Sequence, residues 1–499
     1  MPTLADLKKF LKYPHKVENV ALGDLHTDSR LLKEHDVFLA LRGEHVNGNA
    51  YVKEAQKKGA SAIVIQPDNA LDPDIAKQLN IPVMTLPHSL SLSKFACWFY
   101  DNPSSKLCVI GVTGTNGKTT TTQLIAQWLT MCGKKAGLLG TLGWGFLPAL
   151  HKSANTTLDA VSLQRALAEL VTEGAAYAVM EVSSIGVCEG RVDEVRFYAG
   201  GFTNLTRDHL DYHGDMEQYA EAKERFLSMV PAQNLSINGD NDEGIRCIHK
   251  FQQCCVYSRR RSISELISMS QSNSFVEVRR VSYEPSGLTL ELNTHKGEGE
   301  AKLGLMGDFN VENFACALSI MLSLNFSLPS LLKYSEKLRP VRGRMECFSV
   351  PDKPKLVVDY AHTPDGVQQV LMAARAHHKE GRLFCVLGCG GDRDRGKRPQ
   401  MAIKASVYAD QVVLTSDNPR SEDPQAIIDD MLMGIRQADN VQVELDRRAA
   451  IEKAFSMAKA GDVVVIAGKG HEDYQILKDK TIHFSDREIA AELLGVEID

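Results

Sequence analysis

Residues Gly111–Thr120 read GVTGTNGKTT, and the reading of this stretch decides the fold. An apolar run at Leu107–Val112 precedes it and reads as a strand; Thr121–Thr130 follows and reads as a helix. Glycines at 111, 114 and 117 let the backbone turn tightly enough for its N–H groups to surround phosphate oxygens. Lys118 adds a point charge and Thr119 a hydroxyl suited to Mg2+. The strict phosphate-loop pattern has glycine where Val112 stands, so the spacing is a variant. Strand, loop and helix together still describe a nucleotide-binding unit, with Gly114, Thr115, Asn116, Gly117, Lys118, Thr119 and Thr120 around the phosphates.

Downstream, Tyr177–Val182 (YAVMEV) and Phe197–Thr203 (FYAGGFT) are short, apolar and bounded by polar turns, as buried parallel strands should be. Glu181 ends the first, and His209 lies in NLTRDHLDYH shortly after the second. A carboxylate and an imidazole there are candidates to complete Mg2+ coordination around ATP. The bland alternatives are a cap or salt bridge for Glu181 and a hydrogen-bonded core histidine for His209. Between Arg259 and Glu300, alternation at Ser274–Val278 and Leu288–Leu292 predicts antiparallel strands.

Upstream, Asp36–Leu41 and Ala60–Gln66 read as strands with a helix at Tyr51–Lys58 between them, a small α/β unit closing at the turn-rich Asp101–Lys106. Leu338–Arg344 (LRPVRGR) reads as a hinge. Beyond it, apolar strands at Lys355–Val358, Arg382–Leu387, Gln411–Leu414 and Asp462–Ile466 each run into a polar or glycine-rich loop: DYAHTPD, GCGGDRDRGKR, TSDNPR and AGKGHED. Doubly wound sheets bind ligands beyond the carboxyl ends of their strands. The expected fold is therefore α/β in three domains. A small N-terminal α/β domain spans 1–104, a central P-loop ATPase-like parallel sheet 105–339, and a C-terminal Rossmann-like domain 340–499.

The 499 residues are 43% hydrophobic and 24% charged with a net charge of -6, a globular composition without the basic excess of nucleic-acid binders. The start, MPTLADLKKFLKY, has no signal-peptide core, and no apolar run is long enough to span a bilayer. Eleven cysteines fall without a CxxC pair and read as reduced thiols. A cytoplasmic monomer acting on small molecules is expected, with neither nucleic acid nor membrane as partner.

Further segments extend the pattern: NTT at Asn155–Thr157, MEVSS at Met180–Ser184, TNLTRDHLDYHGD at Thr203–Asp215, GDFNVEN at Gly307–Asn313 and GRME at Gly343–Glu346. In this order, with GTNGKTT and DYAHTPD, the chain resembles the Mur ligase family, ATP-dependent amide-forming enzymes of peptidoglycan precursor synthesis. The resemblance implies that Lys118, Lys223, Glu181 and His209 serve catalysis, that Thr119, Glu181 and His209 hold Mg2+, and that Asn310, Arg344, Asp359 and His362 join the loop around ATP. Lys223, in YAEAKERF, matches the family lysine carried as N6-carboxylysine; read alone, it is a solvated helix lysine.

TDSR at Thr27–Arg30, GCGGDRDRGKRP, DNPR at Asp417–Arg420 and GKGHE at Gly468–Glu472 make it similar to the members that add the third amino acid of the peptide. By that likeness Ser29, Glu44, His45 and Val46 face the UDP-sugar. Asn155, Thr156, Thr157, Ser183 and Arg191 hold the muramoyl dipeptide, and Arg393, Asp417, Asn418, Pro419, Arg420, Gly468 and Glu472 the incoming amino acid. A guanidinium suits a second carboxylate, so Arg420 favours meso-diaminopimelate over L-lysine; a surface pair with Glu422 is the bland alternative. Two positions depart from the family: Ile185, where histidine is usual, and Glu189, where glutamine is common and whose charge asks for a compensating partner. A folate-polyglutamate synthetase, a P-loop motor and a non-catalytic nucleotide-binding scaffold are the rival readings.

Overall fold

The computed structural model describes residues 1–43, 46–153, 155–285, 287–435 and 439–498. These form two compact units: Met1–Gly114, Gly133–Gly200 and Arg207–Ala232 make one, and Thr115–Cys132, Gly201–Thr206 and Gln233–Asp499 the other. The chain first passes from one to the other inside the glycine loop, between Gly114 and Thr115.

The first unit opens with a parallel sheet in the order Leu25–His26, Val37–Ala40, Ala62–Ile65, Val83–Thr85. Its central strands are buried throughout because both faces are covered. Val37, Leu39, Ala62 and Val64 pack with Leu7, Phe95 and Phe99, while Phe38, Ala40, Ile63 and Ile65 pack with Val52 and Ala55 of the helix Val52–Lys57. Further along, Cys108–Thr113 pairs parallel with Tyr177–Glu181, which pairs parallel with Ala136–Gly140. Gly143–Phe146 and Ala149–His151 then add antiparallel. Val112 is wholly buried in the strand and lies opposite Glu181, so the position where the strict loop pattern has glycine is here part of the core.

In the second unit the helix Lys118–Met131 packs on Asp308–Ser323, with the Trp128 and Phe314 ring centroids 5.1 Å apart. The Trp128 indole N–H donates to the Leu331 carbonyl at 3.1 Å, which satisfies the polar edge of a fully buried ring. Leu235–Asn238, Cys255–Ser258 and Phe275–Glu284 pair parallel; Gly287–Thr294 then pairs antiparallel with Phe275–Glu284, as the alternation at Ser274–Val278 and Leu288–Leu292 predicts, and Gly297–Leu303 adds a further antiparallel strand.

The C-terminal sheet has six strands in the order Glu346–Phe348, Lys355–Asp359, Val463–Ala467, Leu383–Cys389, Gln411–Ser416, Val441–Val443. All pairs are parallel except the first. Alternate side chains enter two cores: Val357, Cys385, Val412 and Val465 one, Leu356, Phe384, Val413 and Val464 the other. All four strands read from the sequence are present, and each is followed by its polar loop. The mixed α/β architecture expected from the sequence is the one observed.

Arg447 ties the ends of this sheet together. Its fully buried guanidinium pairs with Asp486 at 2.7 and 2.8 Å and donates to the carbonyls of Ser416 (3.2 Å) and Ala467 (3.0 Å), at the ends of two strands. Removing one partner of a buried pair leaves the other charge uncompensated. Arg447→Met is therefore expected to lower stability by about 3–5 kcal/mol in urea unfolding. Arg447→Met/Asp486→Leu should recover most of that loss, because it leaves no buried charge alone.

Candidate active site

In the second unit the glycine loop ends at Gly117, which caps the helix Lys118–Met131 with φ +88° and no side-chain cap. A Cβ at Gly117 would stand 2.1 Å from Asn313 Oδ1, so both the backbone angle and the close approach require glycine. Helix starts of this kind present N–H groups and a partial positive charge to anions. The loop is held from the Thr203–Thr206 side. Thr115 N–H donates to the Asn204 carbonyl (2.9 Å), Asn116 N–H to Asn204 Oδ1 (3.0 Å), and Thr203 Oγ1–H to the Asn116 carbonyl (2.6 Å). Lys118 Nζ donates to the Thr115 carbonyl at 2.9 Å, folded over the loop it serves. Thr119 and Thr120 are buried in the first helical turn. Asn310 is buried, donates to the Met306 carbonyl and accepts from Asn313 Nδ2 at 3.1 Å, which aligns Asn313 under Gly117.

The C-terminal loops converge in the same unit. Asp359 is buried at the end of its strand and accepts from Ala361 N–H and Met345 N–H, both at 2.7 Å, so one carboxylate shapes two loops. Burial pushes its carboxyl above the ordinary range. The Arg344 guanidinium lies 4.6 Å from the Tyr360 ring centre, whereas His362 is exposed and its Nδ1 lies 2.9 Å from the Tyr360 carbonyl.

Asp417, Asn418 and Pro419 are buried just beyond Gln411–Ser416. Asn418 Nδ2 donates to Glu472 Oε2 at 3.0 Å, and its Oδ1 accepts from Ile476 N–H at 2.9 Å. Gly468 has φ +119°, and a Cβ there would stand 2.7 Å from Asp417 Oδ2. Arg420 Nη1 donates to the Gly391 carbonyl at 2.8 Å. Arg393 is exposed, with Nη1 3.3 Å from the Asp392 carbonyl. Glu422 does not pair with Arg420. It pairs with the buried Arg398 at 2.7 and 2.9 Å, which holds its carboxyl down to about 2, and the bland reading of Arg420 is corrected accordingly.

In the first unit Glu181 is buried, accepting from Thr141 N–H at 2.8 Å and from Thr141 Oγ1–H at 3.2 Å. A Cβ at Gly140 would stand 2.3 Å from Glu181 Oε1, so the glycine makes room for the carboxylate. Thr156 Oγ1 lies 3.1 Å from Thr141 Oγ1; Thr157 Oγ1–H donates to the Glu181 carbonyl and accepts from Ser183 N–H. Arg191 Nη1 donates to the Thr157 carbonyl at 2.6 Å, while its Nε and Nη2 meet Glu189 at 2.7 and 2.6 Å. Glu189 thus has the compensating partner its charge requires. Glu181, Thr156, Thr157, Ser183 and Arg191 form one hydrogen-bonded chain; Asn155 is exposed beside it.

His209 is no core histidine. It is about half exposed, sits at φ +52° before the helix Leu210–His213, and lies 3.5 Å from Asp208. The buried histidine of this segment is His213, whose Nε2 lies 2.9 Å from Ser184 Oγ. Lys223 is 2% exposed with Nζ 4.3 Å from the Tyr219 ring centre, which overturns its reading as a solvated lysine. Ser29 is buried and donates to Glu54 at 3.1 Å, and Val46 is exposed. Glu44 and His45 lie outside the described residues.

Sequence reading missed Thr141, Asn313, Thr203, Asn204 and Lys469. All but Thr141 stand inside segments quoted for other residues, and full burial is what sets Lys469 apart from an ordinary loop lysine.

A glycine loop opening a helix, in the same unit as strand ends rich in carboxylates and guanidinium groups, defines a nucleotide-using α/β enzyme. The Mur ligase middle domain matches residues 112–321, the glutamate ligase domain of Mur ligases residues 343–470, and the catalytic domain of the Mur ligase family residues 24–94. The UDP-N-acetylmuramoyl-L-alanyl-D-glutamate–2,6-diaminopimelate ligase of Vibrio vulnificus is 45% identical over 486 residues, 96% of each chain. That of Vibrio cholerae is 44% identical over 484 residues, 97% of this chain and 96% of the other. A solved structure of a ligase with the same name is 33% identical, covers 97% of both chains and superposes with a TM-score of 0.64. The chain belongs to the Mur ligase family and is, with it, an ATP-dependent amide-forming ligase.

Gly117→Ala forces a left-handed angle costing about 1–2 kcal/mol and drives a methyl onto Asn313. Titration calorimetry with ATP is expected to show affinity reduced tenfold or more, with the far-UV circular dichroism of the folded chain retained.

Proposed function

We propose that the chain joins meso-diaminopimelate to UDP-N-acetylmuramoyl-L-alanyl-D-glutamate, consuming ATP and releasing ADP and phosphate to give the UDP-muramoyl tripeptide. Relatives of this name at 44–45% identity support the reading. The observation that carries it is Arg420: among the described residues no carboxylate pairs with it, and it stands beside the buried Asp417 and Asn418, the latter bonded to Glu472. A guanidinium is a two-donor match for the distal carboxylate that diaminopimelate has and lysine lacks.

In the first step a carboxylate oxygen of the dipeptide attacks the γ-phosphorus; an O–P bond forms, the bond to the β-phosphate oxygen breaks, and ADP leaves. The diaminopimelate amine then attacks the acyl phosphate carbonyl, a C–N bond forms, and phosphate departs with the C–O bond pair. Positioning and charge neutralisation dominate such transfers. The loop from Gly114 to Thr120 and Lys118 offset phosphate charge; Asn310, Arg344, Asp359 and His362 complete the nucleotide side. Thr157, Ser183 and Arg191, with Asn155 and Thr156, hold the dipeptide; Ser29, Glu44, His45 and Val46 hold the UDP-sugar. Arg393, Asp417, Asn418, Pro419, Gly468 and Glu472 take the amino acid with Arg420.

Thr119 in the second unit, and Glu181 and His209 in the first, each offer a donor of the hard or borderline kind that Mg2+ takes, and the ion would neutralise phosphate charge. Lys223 is 2% exposed and set apart from bulk water, and we assign the N6-carboxylysine to it. We read 1–104 as the UDP-sugar domain, 105–339 as the ATP domain and 340–499 as the amino-acid domain of a cytoplasmic monomer that uses only small molecules.

Phosphate release with ATP, Mg2+ and the UDP-muramoyl dipeptide tests this. Turnover is expected with meso-diaminopimelate and not with L-lysine, together with the tripeptide mass. Arg420→Ala should lower kcat/KM for diaminopimelate by about 100-fold, the worth of roughly 3 kcal/mol of charge-assisted hydrogen bonding. Preference for lysine would keep the ligase and reject the choice of amino acid.

A further inference from the structure

Lys469 is the fully buried lysine of the GKGHE loop. Its Nζ donates to Asn418 Oδ1 and to Glu472 Oε2, both at 3.1 Å, and lies 3.7 Å from Asp417 Oδ1. An ammonium has three protons and no acceptor, and these three oxygens lie in reach of all of them. Glycines flank it: Gly468 at φ +119° lets the chain pass against Asp417, and Gly470 at φ +53° turns it beside Tyr360. The backbone is therefore bent to bring this cation inside.

The three groups it touches are those assigned to the amino acid. Asp417 and Glu472 are acids brought to one place, and the Lys469 ammonium stands within 3.1 Å of Glu472 and 3.7 Å of Asp417. A core needing only packing would not bury a lysine, since the desolvation cost exceeds what an apolar side chain there would incur. Glu472 Oε2 is fixed by Lys469 Nζ and Asn418 Nδ2 together, and Asn418 is in turn fixed by Ile476 N–H. Orientation thus runs outward from the ammonium.

We propose that Lys469 is a positioning residue for the amino-acid substrate. It holds Asp417, Asn418 and Glu472 in place and aimed, so that an ammonium group of the substrate meets carboxylates while its carboxylate meets Arg420. This rests on the amino-acid assignment of the pocket made above.

The test is steady-state phosphate release by full-length Lys469→Met, with KM and kcat measured for each substrate in turn. The KM for meso-diaminopimelate is expected to rise tenfold or more, with the KM for ATP and for the UDP-muramoyl dipeptide changed less than twofold. Lys469→Gln keeps N–H donors in place of the ammonium without its charge and guards against misfolding of Lys469→Met. It should fold like the wild type and show a selective rise in the same KM. An unchanged amino-acid KM in either folded variant, or equal rises for all three substrates, overturns the proposal. Absence of diaminopimelate-dependent turnover in the wild-type chain would instead overturn the assignment beneath it.

Discussion

A parallel strand covered on both faces has no position along its length for a charged side chain, so whatever chemistry it carries must come where it stops. Val463–Ala467 is buried from end to end, and Lys469 comes two residues later. Gln411–Ser416 is followed at once by Asp417. Lys355–Asp359 ends on its carboxylate, Tyr177–Glu181 likewise, and Cys108–Thr113 runs into the glycine loop. The rule that builds the cores therefore gathers the charged groups at strand ends, in each unit separately.

Once there, these groups are still largely buried and need partners. An unpaired buried charge costs several kcal/mol, whereas a hydrogen bond to a charged group contributes about 1.5–3 kcal/mol. The chain meets this cost with loop backbone and neighbouring hydroxyls. Asp359 takes two N–H groups from different loops; Glu181 takes the N–H and the hydroxyl of Thr141. Satisfying the charge and fixing the loop are the same event. Arg447 does this at a larger scale, since its guanidinium reaches the terminal carbonyls of two strands as well as Asp486. Sites built this way are rigid before any ligand arrives, which is what positioning requires.

The buried parallel strands that were read were legible because burial on both faces leaves an apolar run with polar ends, and each of them starts and stops within two residues of its reading from sequence. The antiparallel pair Phe275–Glu284 and Gly287–Thr294 was legible by alternation, but the parallel pairing of its first strand to Cys255–Ser258 was not, since strand order leaves no local trace. Burial of single charges was equally hidden. Lys223 on an amphipathic helix and Lys469 between two glycines look like solvated lysines until distant Tyr219, Asn418 and Glu472 are placed around them. Glu422 shows the same limit in reverse. Arg420 is two residues away and Arg398 twenty-four, yet the distant one pairs, because the helix Lys397–Tyr408 presents Arg398 to it from within the fold.

The departures from the family pattern follow the same logic of local charge balance. Glu189 brings a negative charge where glutamine is common, and Arg191 meets it with two nitrogens while a third holds the Thr157 carbonyl. The pair stays neutral and the arginine stays fixed to the segment that ends at Glu181 through Thr157. Glutamine could accept one of those bonds, but only a carboxylate also offsets the guanidinium charge. Ile185 needs no such compensation, because an apolar side chain on the short helix Ser184–Cys188 leaves no charge to balance. Nearby polar contact is kept by Ser184 and His213. A charged replacement is balanced only when its partner is already in reach, and here that partner is Arg191.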